Sequence, residues 1–370
     1  MTLFEHELVA AGSTERPVGD TGRMLQMITG YWVTQVVRTA AELRIADHLH
    51  DGGATPAEVA EAESLDPDAC FRFLRACASL GLAASADGKR FTGMPLIDTL
   101  RSDAPGSLRD LALWGGAESH WLPWGRLADA VRTGGPQAEA ALGAPIFDWL
   151  AAAPGEAEVF TNAMTAMTRG LAHALAEVID VADARVAVDV GGAGGNLVQT
   201  LMRRHPGLAG VVLDLPHVRA EAEASAACLG VADRFTFVGG DFFDEVPSAD
   251  VHLLKFVLHD WDDDACVRVL RNCRRALRPG GRVLVMELLV DRVGTPGLAP
   301  LMDLNMMALS TGRERSAEEY GRLFERAGLT LTATTPSGSR VSVLTLVPAA
   351  VPPEVSQGAE LPSGRISPLS

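Results

Sequence analysis

The strongest constraint on this chain is a series of short apolar runs in its C-terminal half. Residues 186–190 (VAVDV), 211–214 (VVLD), 235–238 (FTFV), 251–257 (VHLLKFV) and 283–288 (VLVMEL) are dominated by apolar side chains without regular polar alternation, and helix-forming stretches separate them. A strand that is apolar on both faces has to be covered on both. Such strands alternating with helices build a parallel sheet between two helical layers. The reading is an α/β fold with a mostly parallel, doubly wound sheet over residues 181–349. Ligands of such sheets bind beyond the carboxyl ends of the strands, where the strand order reverses.

The residues at those strand ends are unusual. VAVDVGGAGGNLVQTLMRRHP places glycines between the first strand and a helix. Glycine lets the backbone approach a ligand, and the helix N-terminus favours an anionic group there. The dinucleotide fingerprint GxGxxG fails, because Leu197 stands where its third glycine belongs. What remains is Asp189-x-Gly191-x-Ala193-x-Gly195. Asp214 ends the second strand, 23 residues after Gly191, where a carboxylate can accept both hydroxyls of a ribose. Asp241 ends the third, where an acid can accept the exocyclic amine of adenine, and Phe242 beside it can pack on the base. Loop, ribose acid and adenine acid on three successive strand ends point to an adenosine-containing ligand.

His259 sits where the fourth run gives out, in LHDWDDD, and Glu287 ends the fifth. A histidine there can be a metal ligand, a general base or a histidine packed in a loop. The triplet Asp262-Asp263-Asp264 is explained by the helix it opens, since acids favour a helix N-terminus. No metal is therefore expected.

The N-terminal half reads differently. Residues 24–49 have apolar positions recurring at three and four, the signature of one long helix. Thr55, with Pro56 and Glu58, caps a short helix, and Asp66, with Pro67, caps the next, which Gly81 ends. A hairpin then turns at Ala86-Asp87-Gly88-Lys89. Three helices and a hairpin make a winged-helix pattern over 21–104. Residues 105–180 are helical and rich in Trp and Met, with turns at Gly115-Gly116, Gly134-Gly135-Pro136 and Pro154-Gly155. Residues 1–20 read as a flexible N-terminus, and 350–370, rich in Pro, Ser and Gly, as a disordered tail.

Charge removes some function classes. The net charge is −15, which disfavours nucleic acid and anionic membrane. A winged helix can be a DNA-binding regulator, but residues 1–104 hold 9 Lys and Arg against 15 Asp and Glu. There is no signal-peptide pattern and no apolar stretch long enough for a span. The 5 cysteines form no CxxC, and Cys70/Cys77 and Cys266/Cys273 are spaced to share helix faces in a core. A reducing, cytoplasmic setting follows as the expectation.

The chain resembles the class I S-adenosylmethionine-dependent O-methyltransferases of the plant phenylpropanoid and bacterial antibiotic type. VDVGGAGG, LDLPHV, VGGDFF, LKFVLHDW, ALRPGGRVLVMELL and GRERSAEEY stand in that family's order and spacing, over 20–348. The resemblance implies a Rossmann-like methyltransferase domain, a winged-helix dimerisation domain and a homodimer. It implies S-adenosylmethionine as methyl donor, S-adenosylhomocysteine as product, and a small aromatic natural product as acceptor. It implies a cofactor held by Gly191, Asp214, Leu215, Asp241, Phe242 and Lys255. His259 is then the base, oriented by Glu287 or Glu314 and flanked by Asp260. Ala193 departs from the glycine many members carry, and one methyl group is expected to be tolerated.

The chemistry suits a histidine. A phenol has a pKa of about 10 and is mostly neutral at pH 7, so a base that takes its proton as the bond forms gives on the order of 10²–10⁴ in rate. Imidazole meets this need, provided an acceptor fixes its tautomer. Glu287 is placed for that role, with Glu314 as the second candidate. Variants of the family's chemistry are C- or N-methylation and cofactor-assisted hydroxylation, and a retained His259 with Glu287 favours O-methylation. The acceptor pocket is expected among Trp121, Phe160, Met164, Met167, Leu258, Met302, Asn305, Met306 and Leu309. Met302, Met306 and Leu309 have helical spacing, so core packing competes for each.

Overall fold

The structure is a computed structural model that describes residues 19–104, 106–290 and 293–350. The expected flexible N-terminus and disordered tail lie outside the described residues, apart from residues 19, 20 and 350.

The helix expected over 24–49 is two helices. α1 (Asp20–Glu42) and α2 (Ile45–His50) are separated because Arg44 takes a left-handed conformation, φ 49°. α3 (Pro56–Glu63) opens on the Thr55–Glu58 capping box, and α4 (Pro67–Ser79) on the Asp66 side chain, which accepts from the Ala69 N–H. β1 (Ala83–Ala84) and β2 (Thr92–Gly93) form the hairpin of the winged-helix arrangement, and α5 (Pro95–Asp98) follows. Cys70 and Cys77 are buried in the core of this unit beside Ile45, Leu49 and Leu74.

Six helices follow: α6 (Arg109–Gly115), α7 (Glu118–Gly125), α8 (Leu127–Thr133), α9 (Ala138–Leu142), α10 (Ile146–Ala152) and α11 (Pro154–Val178). The expected turn at Pro154-Gly155 is instead the first turn of α11. Proline fits there because its missing N–H would have no helical partner. α6 packs against both α1 and α11, which ties the N-terminal unit to the helical region.

The remaining chain alternates. β3 (Val186–Val190), α12 (Asn196–Arg204), β4 (Ala209–Asp214), α13 (Arg219–Cys228), β5 (Phe235–Gly239), β6 (Ala249–Lys255), α14 (Asp263–Ala276) and β7 (Leu277–Leu288) are followed by α15 (Ala299–Leu309), α16 (Ala317–Ala327), β8 (Leu329–Pro336) and β9 (Val341–Pro348). The sheet order is β5-β4-β3-β6-β7-β9-β8. Neighbours from β5 to β7 pair parallel, whereas β9 runs antiparallel to both β7 and β8. One apolar layer, with Leu175, Leu197, Leu201 and Met202, covers one face, and another, with Leu270, Tyr320 and Phe324, covers the other. Each fully buried leucine contributes about 1.5–3 kcal/mol relative to exposure. Strand order reverses between β3 and β6, which places the strand ends carrying Asp189 and Lys255 side by side. Among the described residues no helix is long and apolar enough to cross a membrane.

Candidate active site

The glycine loop after β3 is a tight cradle. Gly191 has φ +69°, and a Cβ there would lie 3.1 Å from Val257 Cγ2 and 3.6 Å from Phe242 Cε1. Ala193 is also left-handed, at φ 46°, and its N–H donates to Asp214 Oδ2 at 2.8 Å. The Leu215 N–H donates to Asp214 Oδ1 at 2.6 Å, so the ribose candidate is aimed by two backbone groups. Burial raises the Asp214 pKa, against the pull of those two bonds. Leu215 itself is 53% exposed, a large apolar side chain beside the cradle. Asp241 is fixed by accepting from the Phe243 N–H at 2.8 Å. Phe242 packs against Phe243 and Trp261, with ring centroids 4.9 and 6.2 Å away.

Lys255 ends β6. Burial lowers its pKa, while Asp189, Glu287 and Asp260 draw it back up. Asp189 faces Lys255 from β3, with Asp214 as a like charge. Burial raises its pKa to about 7, and Lys255 opposes that rise. The sequence placed Asp189 only within the loop pattern and gave it no part in the site.

His259 lies in a 3₁₀ turn, Leu258–Asp260, immediately beyond β6. It is 8% exposed and stacks on Phe256, with centroids 5.3 Å apart. Phe256 is left-handed at φ 53°, a conformation costing about 1–2 kcal/mol for such a residue. His259 Nδ1 lies 2.8 Å from Glu314 Oε1 and 3.8 Å from Glu287 Oε2, while Nε2 lies 3.6 Å from Asp260 Oδ1. The carboxylate hydrogen-bonded to His259 is therefore that of Glu314, the second candidate from the sequence. Glu287, the first, accepts instead from the N–H groups of Val257 and Leu258 at 3.2 and 3.0 Å and supports the turn from below. Its strand carries it to the turn's backbone, whereas the loop before α16 reaches the ring.

The electrostatics follow from this crowding. Burial opposes the imidazolium, but Asp260, Glu287 and Glu314 outweigh it and raise His259 to about 9. Burial raises Glu287 to about 7, with His259 pulling the other way. Burial also raises Asp260. The ligand atoms of His259, Glu287 and Glu314 lie within 4.8 Å of one another, a spacing a metal ion can use. Here His259 Nδ1 already points at a carboxylate oxygen.

The substrate candidates divide. Asn305 on α15 accepts at Oδ1 from Trp124 Nε1 at 2.7 Å and pairs with His120 Nε2 at 2.8 Å, both from α7. Indole can only donate. That orients the amide, whose Nδ2 lies 3.7 Å from Met302 Sδ. Trp121, Phe160, Met164, Met167 and Met302 are half-buried on α7, α11 and α15. Leu258 is wholly buried within the apolar layer, and Met306 and Leu309 are nearly so. His120, tilted against Trp114 with ring centroids 4.4 Å apart, was not anticipated, because its partner Asn305 is 185 residues away.

Residues 124–330 match the O-methyltransferase domain model, and residues 25–113 match the O-methyltransferase dimerisation domain model. This chain belongs to the O-methyltransferase family. The O-methyltransferase is 37% identical to the phenazine O-methyltransferase PhzM of Lysobacter antibioticus, over 87% of this chain and 94% of that one. It is similar to the crystal structure of LaPhzM at a TM-score of 0.86 and 36% identity, covering 90% of this chain and 100% of the other. It is also similar to human N-acetylserotonin methyltransferase, solved in complex with SAM, at a TM-score of 0.82 and 29% identity, covering 92% and 100%. The methyl donor of this enzyme is S-adenosylmethionine. The cradle fits it: the space that a Cβ on Gly191 would fill is bordered by an aromatic ring, and acids stand at the ends of β4 and β5.

Proposed function

We propose that this O-methyltransferase methylates a phenolic or enolic hydroxyl of an aromatic natural product in secondary metabolism, with His259 as general base. The observation that carries the reading is the 2.8 Å pairing of His259 Nδ1 with Glu314 at the end of β6, next to the cofactor cradle. The O-methylation of a phenazine named for the similar Lysobacter protein supports the class of acceptor.

S-adenosylmethionine, when bound, supplies a methyl carbon on a cationic sulfur, a leaving group that needs no acid. Gly191, Asp214, Leu215, Asp241, Phe242 and Lys255 would hold it. In the neutral ring Glu314 keeps the proton of His259 on Nδ1, which leaves the Nε2 lone pair for the hydroxyl proton of the acceptor. Asp260 and Glu287 stabilise the imidazolium that results. A base raised to about 9 is matched to a phenol at about 10, so little driving force is lost in the transfer. Trp121, Phe160, Met164, Met167, Met302 and Asn305 surround the acceptor, with the Asn305 amide oriented by Trp124 and His120. The units are a dimerisation domain over 21–104, a helical pocket region over 105–180 and a catalytic domain over 181–349. Four buried free thiols and the acidic charge support a cytoplasmic protein.

Calorimetric titration with S-adenosylhomocysteine, with NAD and ATP as controls, tests the cofactor site. Binding of the first alone is expected, and Asp214→Ala should weaken it. Unchanged affinity in that variant rejects the ribose assignment. Methyl transfer to a panel of aromatic hydroxyl compounds then tests the chemistry, with an EDTA-treated sample deciding whether the His259–Glu287–Glu314 cluster works with a metal instead.

A further inference from the structure

We propose that Arg315 is the positioning residue that sets the geometry of the His259–Glu314 pair. The proposal rests on the reading of His259 as base. Arg315 follows Glu314 directly and is 1% exposed. Its guanidinium has five N–H donors, and each has a partner. Nε donates to Asp263 Oδ1 at 3.1 Å, and Nη2 donates to the same oxygen at 2.8 Å and to the Trp261 carbonyl at 2.9 Å. Nη1 donates to the carbonyls of Leu258 at 3.1 Å and Arg313 at 3.3 Å.

The identity of those carbonyls gives the arrangement its meaning. Leu258 and Trp261 bracket His259, and Arg313 immediately precedes Glu314. One planar group thus grips the turn that carries the base and the loop that carries its orienter. The backbone of Arg315 completes the link. It bridges to Leu289, just beyond Glu287 on β7, and its carbonyl accepts from the Val290 N–H at 3.1 Å. Three separate segments bearing His259, Glu287 and Glu314 therefore converge on one residue.

Packing alone does not explain a buried guanidinium here. Desolvating a cation is costly, and an apolar side chain of similar volume is often neutral or better for stability. The one carboxylate that Arg315 meets belongs to Asp263, whose side chain is 51% exposed. Lysine cannot substitute, since a single ammonium lacks the fixed fork that spans four acceptor atoms. A shift of about 1 Å in a reacting group can cost on the order of 10² in rate. That is the sensitivity such a clamp protects against.

The test uses Arg315→Lys, Arg315→Met and Asp263→Asn in the full-length enzyme. It reads S-adenosylhomocysteine affinity, kcat, KM and the pH profile of kcat/KM. Arg315→Lys and Arg315→Met should lower kcat by ~10–10²-fold with cofactor affinity unchanged, and should move the limb of the profile set by His259. Asp263→Asn should act in the same direction and more weakly. In a His259→Ala background, Arg315→Lys should add little further loss, because it acts through the base. Should Arg315→Met fail to fold, Arg315→Lys and Asp263→Asn carry the test. An unmoved pH limb, or an equal fall in kcat with His259 already removed, overturns the proposal. A near-normal rate in His259→Ala alone removes the base itself, and this result separates failure of the base from failure of its clamp.

Discussion

His259 is under two opposing pressures, and their balance makes a pH prediction. Burial disfavours its imidazolium, while Asp260, then Glu287 and Glu314, favour it and raise the group to about 9. In the proposed role as base, His259 must be neutral to accept a proton. kcat/KM, which reports the free enzyme, should therefore climb with pH until about 9. Asp260→Asn should shift that limb to lower pH, and an unmoved limb would remove Asp260 from the electrostatics of the base. The same shift has a stability consequence of fixed sign. The folded pKa lies above the ordinary 6.5, so this contribution is complete below that pH and is lost as pH rises through about 9. The two glutamates should separate. Glu314→Gln should lower kcat by ~10-fold or more, as it loosens the ring, whereas Glu287→Gln should mainly destabilise a turn whose N–H groups it accepts. Equal kinetic effects would contradict the 2.8 Å against 3.8 Å geometry. At this scale the sequence showed His259 and Glu287 because both stand where apolar strands end. Lys255, one of only two lysines in the chain, came only with the family resemblance. Arg315 left no such trace, because its partners are mainly carbonyls, which every residue has.

Elements were legible where a strong local signal acts alone. The parallel strands, the Thr55 capping box and the Asp66 cap all follow from short-range chemistry. β8 and β9 were not read, since β8 is an edge strand with mostly exposed or half-buried positions and its apolar signal is diluted. The break between α1 and α2 was missed because Arg44 takes its left-handed conformation without a glycine to announce it. The acidic triplet beside His259 shows how an element can imitate a site. Asp262 is the N-cap of α14 and accepts from the Ala265 N–H at 2.9 Å. Asp262→Ala should cost about 1 kcal/mol in denaturant unfolding and leave cofactor affinity unchanged. A loss of activity reversed by added divalent metal would show instead that the triplet serves an ion.

At the scale of the whole molecule, the feature still to be explained is the outer face of α1. Met24, Leu25, Met27, Ile28, Tyr31 and Trp32 are each more than half exposed, on a chain with net charge −15. Contiguous apolar surface of this kind marks an interaction site, and α1 falls largely within the segment matching the dimerisation domain model. Two copies of so acidic a chain repel each other at long range, so their association has to come from apolar contact and should tighten with salt as the repulsion is screened. The charge also argues against a polyanionic partner for this face. Ile28 and Trp32 lie four residues apart, one above the other on the helix, so they share a stripe. A double substitution, Ile28→Glu with Trp32→Glu, places two like charges in that stripe and presents them to their symmetry copies in an isologous contact. Sedimentation should show a dimer for the parent enzyme and a monomer for this variant. The Cys70–Cys77 core of the N-terminal unit should stay intact, because neither replaced side chain belongs to it. A double variant that remains dimeric would move the interface off α1.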